Sequence, residues 1–327
     1  RVDARGKEVL RILPRINDAV NEEWLSDKAR HVWDGLRTQR LYRPYLREDG
    51  KLAPCTWDKA FTAIAERIKS AGGKKFGAIA GDLAAAEEMF ALKTLAEQIG
   101  SANIDCRQAG SQLDPSLGRA TYLFNTTIGG IEEADAVLLV GSDPRVEAPV
   151  LNARIRKRWK QLDGKLPVGL IGADVDLTYP YQRIGAGPDT LMDIANGKHK
   201  LAQVLKDAKK PMVILGEAAF TRPDGKDILS AAAKIAADSG AIAEDWNGFN
   251  VLHMAAARVA GLEHGFVPGE KGLCTSEMIA AADKGDLDVL YILGADEIDM
   301  PAPERTFVIS QGKPGDKGAH RADEILP

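Results

Sequence analysis

The chain has 327 residues, 43 Lys plus Arg against 47 Asp plus Glu, and a formal charge of −4. At ~150 residues per domain this length points to about two domains, and 45% hydrophobic with 28% charged residues excludes a disordered chain, which is poorer in apolar residues. The near-even charge excludes a dedicated nucleic-acid binder with its basic excess, and no apolar run reaches the ~18 residues of a membrane span.

The first ~50 residues show no strand or helix period. They carry Trp24, Trp33, Tyr42 and Tyr45 among many charges and read as an irregular segment, 1–50, wrapped on a neighbour. The chain starts at Arg1 with no secretory signal before the folded pattern, and both ends read as cuts in a longer polypeptide. Thr56 then caps a predicted helix with Ala60, Phe61, Ile64, Ala65 and Ile68 on one side and Gly72-Gly73 as its stop. Next comes the apolar run Phe76–Ala80, closed by Gly81-Asp82. A helix over about 84–99 places Met89, Leu92, Leu95, Ala96 and Ile99 at helical spacing.

The run-then-glycine pattern recurs at Ala136–Val140 with Gly141-Ser142-Asp143, at Met212–Leu215 with Gly216-Glu217, and at Val289–Leu293 with Gly294-Ala295-Asp296. Continuous rather than alternating apolar runs suit strands covered on both faces, as in parallel sheets, and the glycine lets the chain turn with positive φ or lie against a neighbour. Further helices are expected over about 148–162, 201–208, 226–239, 251–260 and 275–283. The Pro-, Gly- and Asp-rich stretch 179–198 reads as a long excursion. Strand–helix alternation over this length means an α/β fold of doubly wound, mostly parallel sheets in two lobes, expected over 51–205 and 206–327.

Redox proteins commonly use cysteines in CxxC-type clusters. Cys55, Cys106 and Cys274 lie tens of residues or more apart and read as structural or incidental, with a reducing compartment implied. His31, His199, His253, His264 and His320 show no HExxH or other short pairing, and there is no GxSxG, GxGxxG or GxxxxGK[ST] motif. Gly185-Ala186-Gly187-Pro188 is read as lacking both the strand before it and the helix start after it. Gly312-Lys313-Pro314-Gly315-Asp316-Lys317-Gly318 follows the strand-like Phe307–Ser310. It reads as a solvated loop, or else as backbone N–H groups and two cations offered to a phosphate at the carboxyl end of a sheet. The basic helix with Arg154, Arg156, Lys157, Arg158 and Lys160 reads as a solvated face, or as a docking face for an acidic partner subunit.

Several stretches carry a family resemblance: Arg11-Ile12-Leu13-Pro14-Arg15, residues 21–30, Asp34-Gly35-Leu36, residues 125–135, residues 139–145, Glu147-Ala148-Pro149, residues 152–157 and residues 175–179. They resemble the middle of the large iron–sulfur subunit of respiratory complex I, the NADH:quinone oxidoreductase, in its alphaproteobacterial or mitochondrial style. Through Ala134-Asp135, Gly141-Ser142-Asp143-Pro144 and the terminal Ala322–Pro327, the same region resembles molybdopterin oxidoreductases such as formate dehydrogenases.

The resemblance implies a place in the peripheral arm of complex I, which passes electrons from NADH through iron–sulfur clusters to quinone, coupled to proton translocation. The partners would be other peripheral-arm subunits. The location would be the cytoplasmic face of a bacterial inner membrane or the matrix side of the mitochondrial one, without a span of its own. It implies 2Fe–2S and 4Fe–4S clusters in the part of the subunit upstream of Arg1, and none within this segment. Active relatives ligate a 4Fe–4S cluster where Ser26 stands, and bind their metal near Cys106 or Ser111, where the ligand motif is missing. Their aspartate-rich nucleotide loop is unrecognisable at Gly172-Ala173-Asp174-Val175-Asp176. No catalytic, cofactor-binding or metal-binding residue is therefore assigned, and a cofactor-free scaffold is expected. The alternatives are an active enzyme of the formate dehydrogenase type, using Cys106 or Ser111 and the Lys313–Lys317 loop, and a plain nucleotide-binding module.

Overall fold

The computed structural model describes residues 1–301, 303–313 and 317–327. Strands β1 (Val2–Arg5) and β2 (Glu8–Ile12) form one hairpin, and β3 (Tyr45–Glu48) and β4 (Lys51–Pro54) another. They are followed by β5 (Phe76–Ala80), β6 (Asn103–Asp105), β7 (Ala136–Val140), β8 (Val168–Ile171), β9 (Gln182–Gly185) and β10 (Pro211–Leu215). A short pair, β11 (Ile242–Ala243) and β12 (Trp246–Asn247), precedes β13 (Phe249–Val251), β14 (Val289–Leu293), β15 (Phe307–Gln311) and β16 (Glu324–Leu326). All four glycine-ended runs are strands.

The chain divides into two compact units, each made of two separate stretches: Arg1–Trp33 with Ser111–Met254, and Asp34–Gly110 with Ala255–Pro327. This interleaved division differs from the linear 1–50, 51–205 and 206–327 expected above. The physical reason is strand pairing. β10 lies beside β7, and β14 lies beside β5. Parallel neighbours need a crossover, so nearness in sequence does not decide which sheet a strand joins.

The first unit holds a five-stranded parallel sheet in the order β13-β10-β7-β8-β9. The chain lays β8 and β9 outward on one side of β7, then returns to add β10 and β13 on the other. Every residue of β7 and β10 is buried. Val137, Leu139, Leu170, Met212 and Ile214 form the core with Ile155 of the helix Pro149–Gln161. Two expectations fail here. The excursion 179–198 contains β9 and the helix Pro188–Ala195. Residues 251–260 are not one helix, because Val251 ends β13 and the helix begins at Arg258, in the second unit.

On the basic helix Arg156, Lys157 and Lys160 are exposed, as on a solvated face, while Arg154 is buried. Arg154 is 3% exposed and lies 2.5 Å from Glu132. It also donates to the carbonyls of Val20 and Asp18. Lys157 pairs with Glu22 and Glu132, while Arg158 donates to the carbonyls of Ala134 and Glu133. Arg154 and Lys157 tie the N-terminal stretch to this helix.

The second unit holds a seven-stranded sheet, β4-β3-β16-β15-β14-β5-β6, in which the β3–β4 hairpin is antiparallel and the other five strands are parallel. With β1 and β2 also paired, the expected irregular 1–50 segment contributes to both units. Helix Trp57–Ala71 is capped as predicted: Thr56 Oγ1 accepts from Lys59 N at 3.3 Å, and Gly72 stops it at φ +64°. Ala60, Ile64 and Ile68 are buried, but Phe61 is 55% exposed and packs on Trp57, with the ring centroids 5.4 Å apart.

Glu324 lies in β16 between Ile309 of β15 and Leu46 of β3, fully buried, and neither carboxylate oxygen has a hydrogen-bond partner among the described residues. Burial pushes this carboxyl up to about 7, against a smaller lowering by Lys59.

Two outcomes are expected. The folded state holds the Glu324 proton up to about pH 7, while an unfolded glutamate gives it up near its ordinary value of 4.5. That contribution to stability is therefore full below pH 4.5 and is lost as pH rises through 7. Glu324→Gln should raise stability at pH 8 by up to about 3 kcal/mol and make no difference at pH 4, read by urea unfolding at both pH values. Arg154→Ala leaves Glu132 and two carbonyls without their buried cation, at a cost of about 3 kcal/mol, and limited proteolysis should then cut first within residues 13–26.

Candidate functional site

In an open parallel sheet the chain reverses direction at one place, and the crevice beyond the strand ends there is the usual ligand position. In the first unit this place lies between β7 and β10. The turns leaving the two strands press on each other. A Cβ on Gly216 would sit 2.5 Å from the Gly141 carbonyl oxygen, and one on Gly141, at φ +56°, would sit 2.7 Å from the Ala219 amide. Glycine is therefore required at both. Beside the turns opens a cavity of about 330 Å³, walled by Val140, Ile171, Val175, Leu191 and Ile228, with Ser142, Asp143, Glu147 and Arg222 as its polar members.

The polar members are mostly committed to partners within the chain. Glu147 accepts from the amide of Asp143 at 2.6 Å through Oε1, and from the amide of Glu217 at 3.3 Å through Oε2. It thus bridges the turn after β7 to the turn after β10. Asp143 accepts from the Arg145 amide at 3.1 Å, and Arg222 pairs with Asp224 at 2.7 Å. Ser142 is 6% exposed, and its hydroxyl has no hydrogen-bond partner among the described residues.

The loop after β8 brings Gly172, Ala173 and Val175 to the cavity, but its aspartates turn to internal partners. Asp174 accepts from the Tyr181 hydroxyl at 2.5 Å; Asp176 accepts from the Thr178 amide at 3.0 Å and pairs with Arg145. The Thr178 amide, and then Arg145, hold Asp176 below the usual carboxylate range. Gly185-Ala186-Gly187-Pro188 does sit between a strand and a helix, contrary to the reading above. β9 ends at Gly185, the helix starts at Pro188, and Ala186 to Pro188 line the cavity. Proline at a first helical position was the available signal.

The second unit repeats the arrangement between β5 and β14. A Cβ on Gly81 would lie 1.9 Å from the Gly294 carbonyl oxygen. A cavity of about 300 Å³ opens beside these turns, with Glu88, Asp296, Glu297 and Lys313 among its lining. Glu88 accepts from the Ala85 amide at 2.8 Å, and Asp296 accepts from the Gly318 amide. Of the proposed phosphate loop 312–318, Pro314, Gly315 and Asp316 lie outside the described residues.

The side chains nearest to the ligand positions of active relatives do not fit a molybdenum or iron–sulfur centre. Cys106 is 3% exposed beneath Gly261, where an added Cβ would come within 2.6 Å of the thiol sulfur, and burial pushes its thiol up to about 12, away from the thiolate a metal needs. Ser111 is buried and accepts from the Leu113 amide at 3.3 Å. Ser26 caps the short helix Asp27–His31 by accepting from the Ala29 amide at 3.3 Å. His253 follows β13 rather than lying on a helix, with Nε2 2.6 Å from the Tyr122 carbonyl oxygen. Among the described residues no three His, Cys, Asp or Glu side chains converge as a metal site.

Comparison with known proteins returns two matching family descriptions. One, NADH-ubiquinone oxidoreductase NDSU1/NuoG-like, 4Fe-4S domain, matches residues 1–34, a stretch without a cysteine. The other, molybdopterin oxidoreductase, matches residues 40–327. The chain is 45% identical over all 327 residues to the NuoG-type NADH-quinone oxidoreductase subunit of Rickettsia bellii, covering 46% of that protein. It is 41% identical to the mitochondrial NADH dehydrogenase [ubiquinone] iron-sulfur protein 1 of Solanum tuberosum, covering 43% of it. The chain thus spans about half the length of the curated relatives it matches. Among solved structures it resembles the formyltransferase/hydrolase complex of Methylorubrum extorquens, with a TM-score of 0.60 at 17% identity over 86% of this chain and 85% of that one. It also resembles acetylene hydratase of Pelobacter acetylenicus, with a TM-score of 0.55 at 10% identity over 93% and 57%; at these identities the likeness is one of fold alone. With a family model matched over residues 40–327 and two glycine-ended parallel sheets to go with it, the chain belongs to the molybdopterin oxidoreductase family.

Proposed function

We propose that the chain is a structural domain of an NADH:quinone oxidoreductase subunit, one that keeps the molybdopterin-oxidoreductase fold without its cofactor. The observation that carries this reading is the 45% identity to the NuoG-type subunit of NADH-quinone oxidoreductase, which runs through all 327 residues. Cys106, Ser111 and Ser26 add to it, each engaged in packing or capping where a ligand would be needed. Cofactor chemistry requires a protein that ligates and orients the group; without ligands the fold keeps only its surfaces and its stability.

In this reading the whole enzyme passes electrons from NADH to quinone through iron–sulfur clusters held upstream in the subunit. This domain packs against other peripheral-arm subunits and carries no electron itself. No helix among the described residues is long and apolar enough to cross a membrane. The domain sits on the peripheral arm, at the cytoplasmic face of a bacterial inner membrane or on the matrix side of the mitochondrial one.

The assembled enzyme should contain no stoichiometric molybdenum, and acid extraction should release no fluorescent pterin; about one of either per subunit overturns the reading. Cys106→Ala and Ser111→Ala should leave NADH:quinone turnover within about two-fold of the parent, since neither touches a reacting group. A tenfold loss in a folded, assembled variant counts against it.

A further inference from the structure

One basic stretch of the second unit has no acid set against it. Residues 35–46 hold Arg37, Arg40 and Arg43 with no lysine and no acidic residue among them, in a chain whose formal charge is −4. All three arginines are exposed. Among the described residues Arg40 and Arg43 form no ion pair with a carboxylate. The first acid that follows, Glu48, is taken by Lys59 at 2.7 Å.

The stretch is anchored. The Leu41 amide donates to the Lys313 carbonyl at 2.9 Å, and the Leu41 side chain packs on the core of the second unit. Pro44 is buried, and its carbonyl accepts from the Cys55 amide at 3.0 Å. Beside these anchors apolar groups face outward: Tyr42 is 71% exposed and Leu36 55%. The Arg43 guanidinium lies over the Tyr42 ring, 4.7 Å from its centroid, which holds a cation and an aromatic face together. The side chain of Lys313 is exposed and adds a further cation. A face built only for solvation mixes both signs of charge, whereas protein interfaces are enriched in Arg and Tyr and depleted in Lys. Arginine is also less strongly hydrated than lysine, and its planar fork matches a carboxylate.

We infer that residues 36–43 form a docking surface for an acidic stretch of another polypeptide. Leu36 and Tyr42 supply its apolar centre, and Arg40 and Arg43 take the carboxylates. The inference rests on the reading of a domain within an NADH:quinone oxidoreductase, whose other subunits supply the partner.

The test uses the assembled enzyme. Arg40→Lys and Arg43→Lys, made separately, keep the charge and place an amine where the parent has none. A water-soluble carbodiimide joins such an amine to a carboxylate in direct contact, taking up the water released as the amide forms, and mass spectrometry locates the bond. The expected result is a new amide from position 40 or 43 to an Asp or Glu in an acid-rich segment of another polypeptide, at least tenfold above the background of the parent. If neither variant assembles, the native amine of Lys313 in the parent enzyme serves in their place. New amides only to carboxylates of this chain, or none at all in the assembled enzyme, overturn the inference and leave the domain reading standing. Binding of the parent chain to vesicles of anionic phospholipid that is lost in Arg40→Glu assigns the patch to a membrane surface and overturns the inference as well. A purified NADH:quinone oxidoreductase that lacks this chain overturns the domain reading itself.

Discussion

The geometry of both sheets turns on a pair of backbone segments that approach closer than any side chain allows. Where β5 parts from β14, Gly81 lies on the Gly294 carbonyl; where β7 parts from β10, Gly216 lies on the Gly141 carbonyl. A parallel sheet that reverses its winding direction must send two chains away from adjacent strands in opposite senses. If the departing turns carried Cβ atoms they would be forced apart and the strand ends would splay. Glycine lets them cross in contact, so the sheet stays paired to its last residue and the crevice begins immediately beyond it. The position of each cavity follows from that contact.

These features differed in how plainly the sequence displayed them. The apolar runs at 76–80, 136–140, 212–215 and 289–293 were readable because strands buried on both faces are apolar nearly throughout, and their closing glycines marked the crevices. The Thr56 cap was readable because capping is local. Sheet membership was hidden: which strand lies beside β7 depends on where a crossover lands, some seventy residues away, so the two-lobe division was drawn linearly and came out interleaved. The strands within residues 1–50 were hidden for another reason. β1, β2 and β3 hold only exposed and half-buried positions, and they have no apolar run to show. Ser142 and Glu147 were visible only as parts of a family-like stretch. That Glu147 folds back onto two amides is a property of the turn, with no counterpart in residue spacing.

Two buried charges show how differently the fold treats such groups. Arg154 is enclosed but fully answered, by Glu132 and by two carbonyls of the N-terminal stretch. Its desolvation is offset by good geometry, and it fastens a segment in which no residue is fully buried. Glu324 is enclosed without a partner, and its answer is to keep its proton. The first arrangement ties distant parts of one unit together. The second makes the sheet of the other unit less stable as pH rises from about 4.5 through about 7.

The crevices of this fold are made by the sheets, and any chemistry in them by the side chains at their rims. Filling the first cavity would require larger residues at Val140, Val175 or Leu191, each of which also packs the sheet or a helix, and overpacking such positions costs typically 1–3 kcal/mol. Occupying its donors requires only one carboxylate of the right length on the short helix beside them. That is the arrangement present: the space is open, and Glu147 accepts from the amides of Asp143 and Glu217 at its rim.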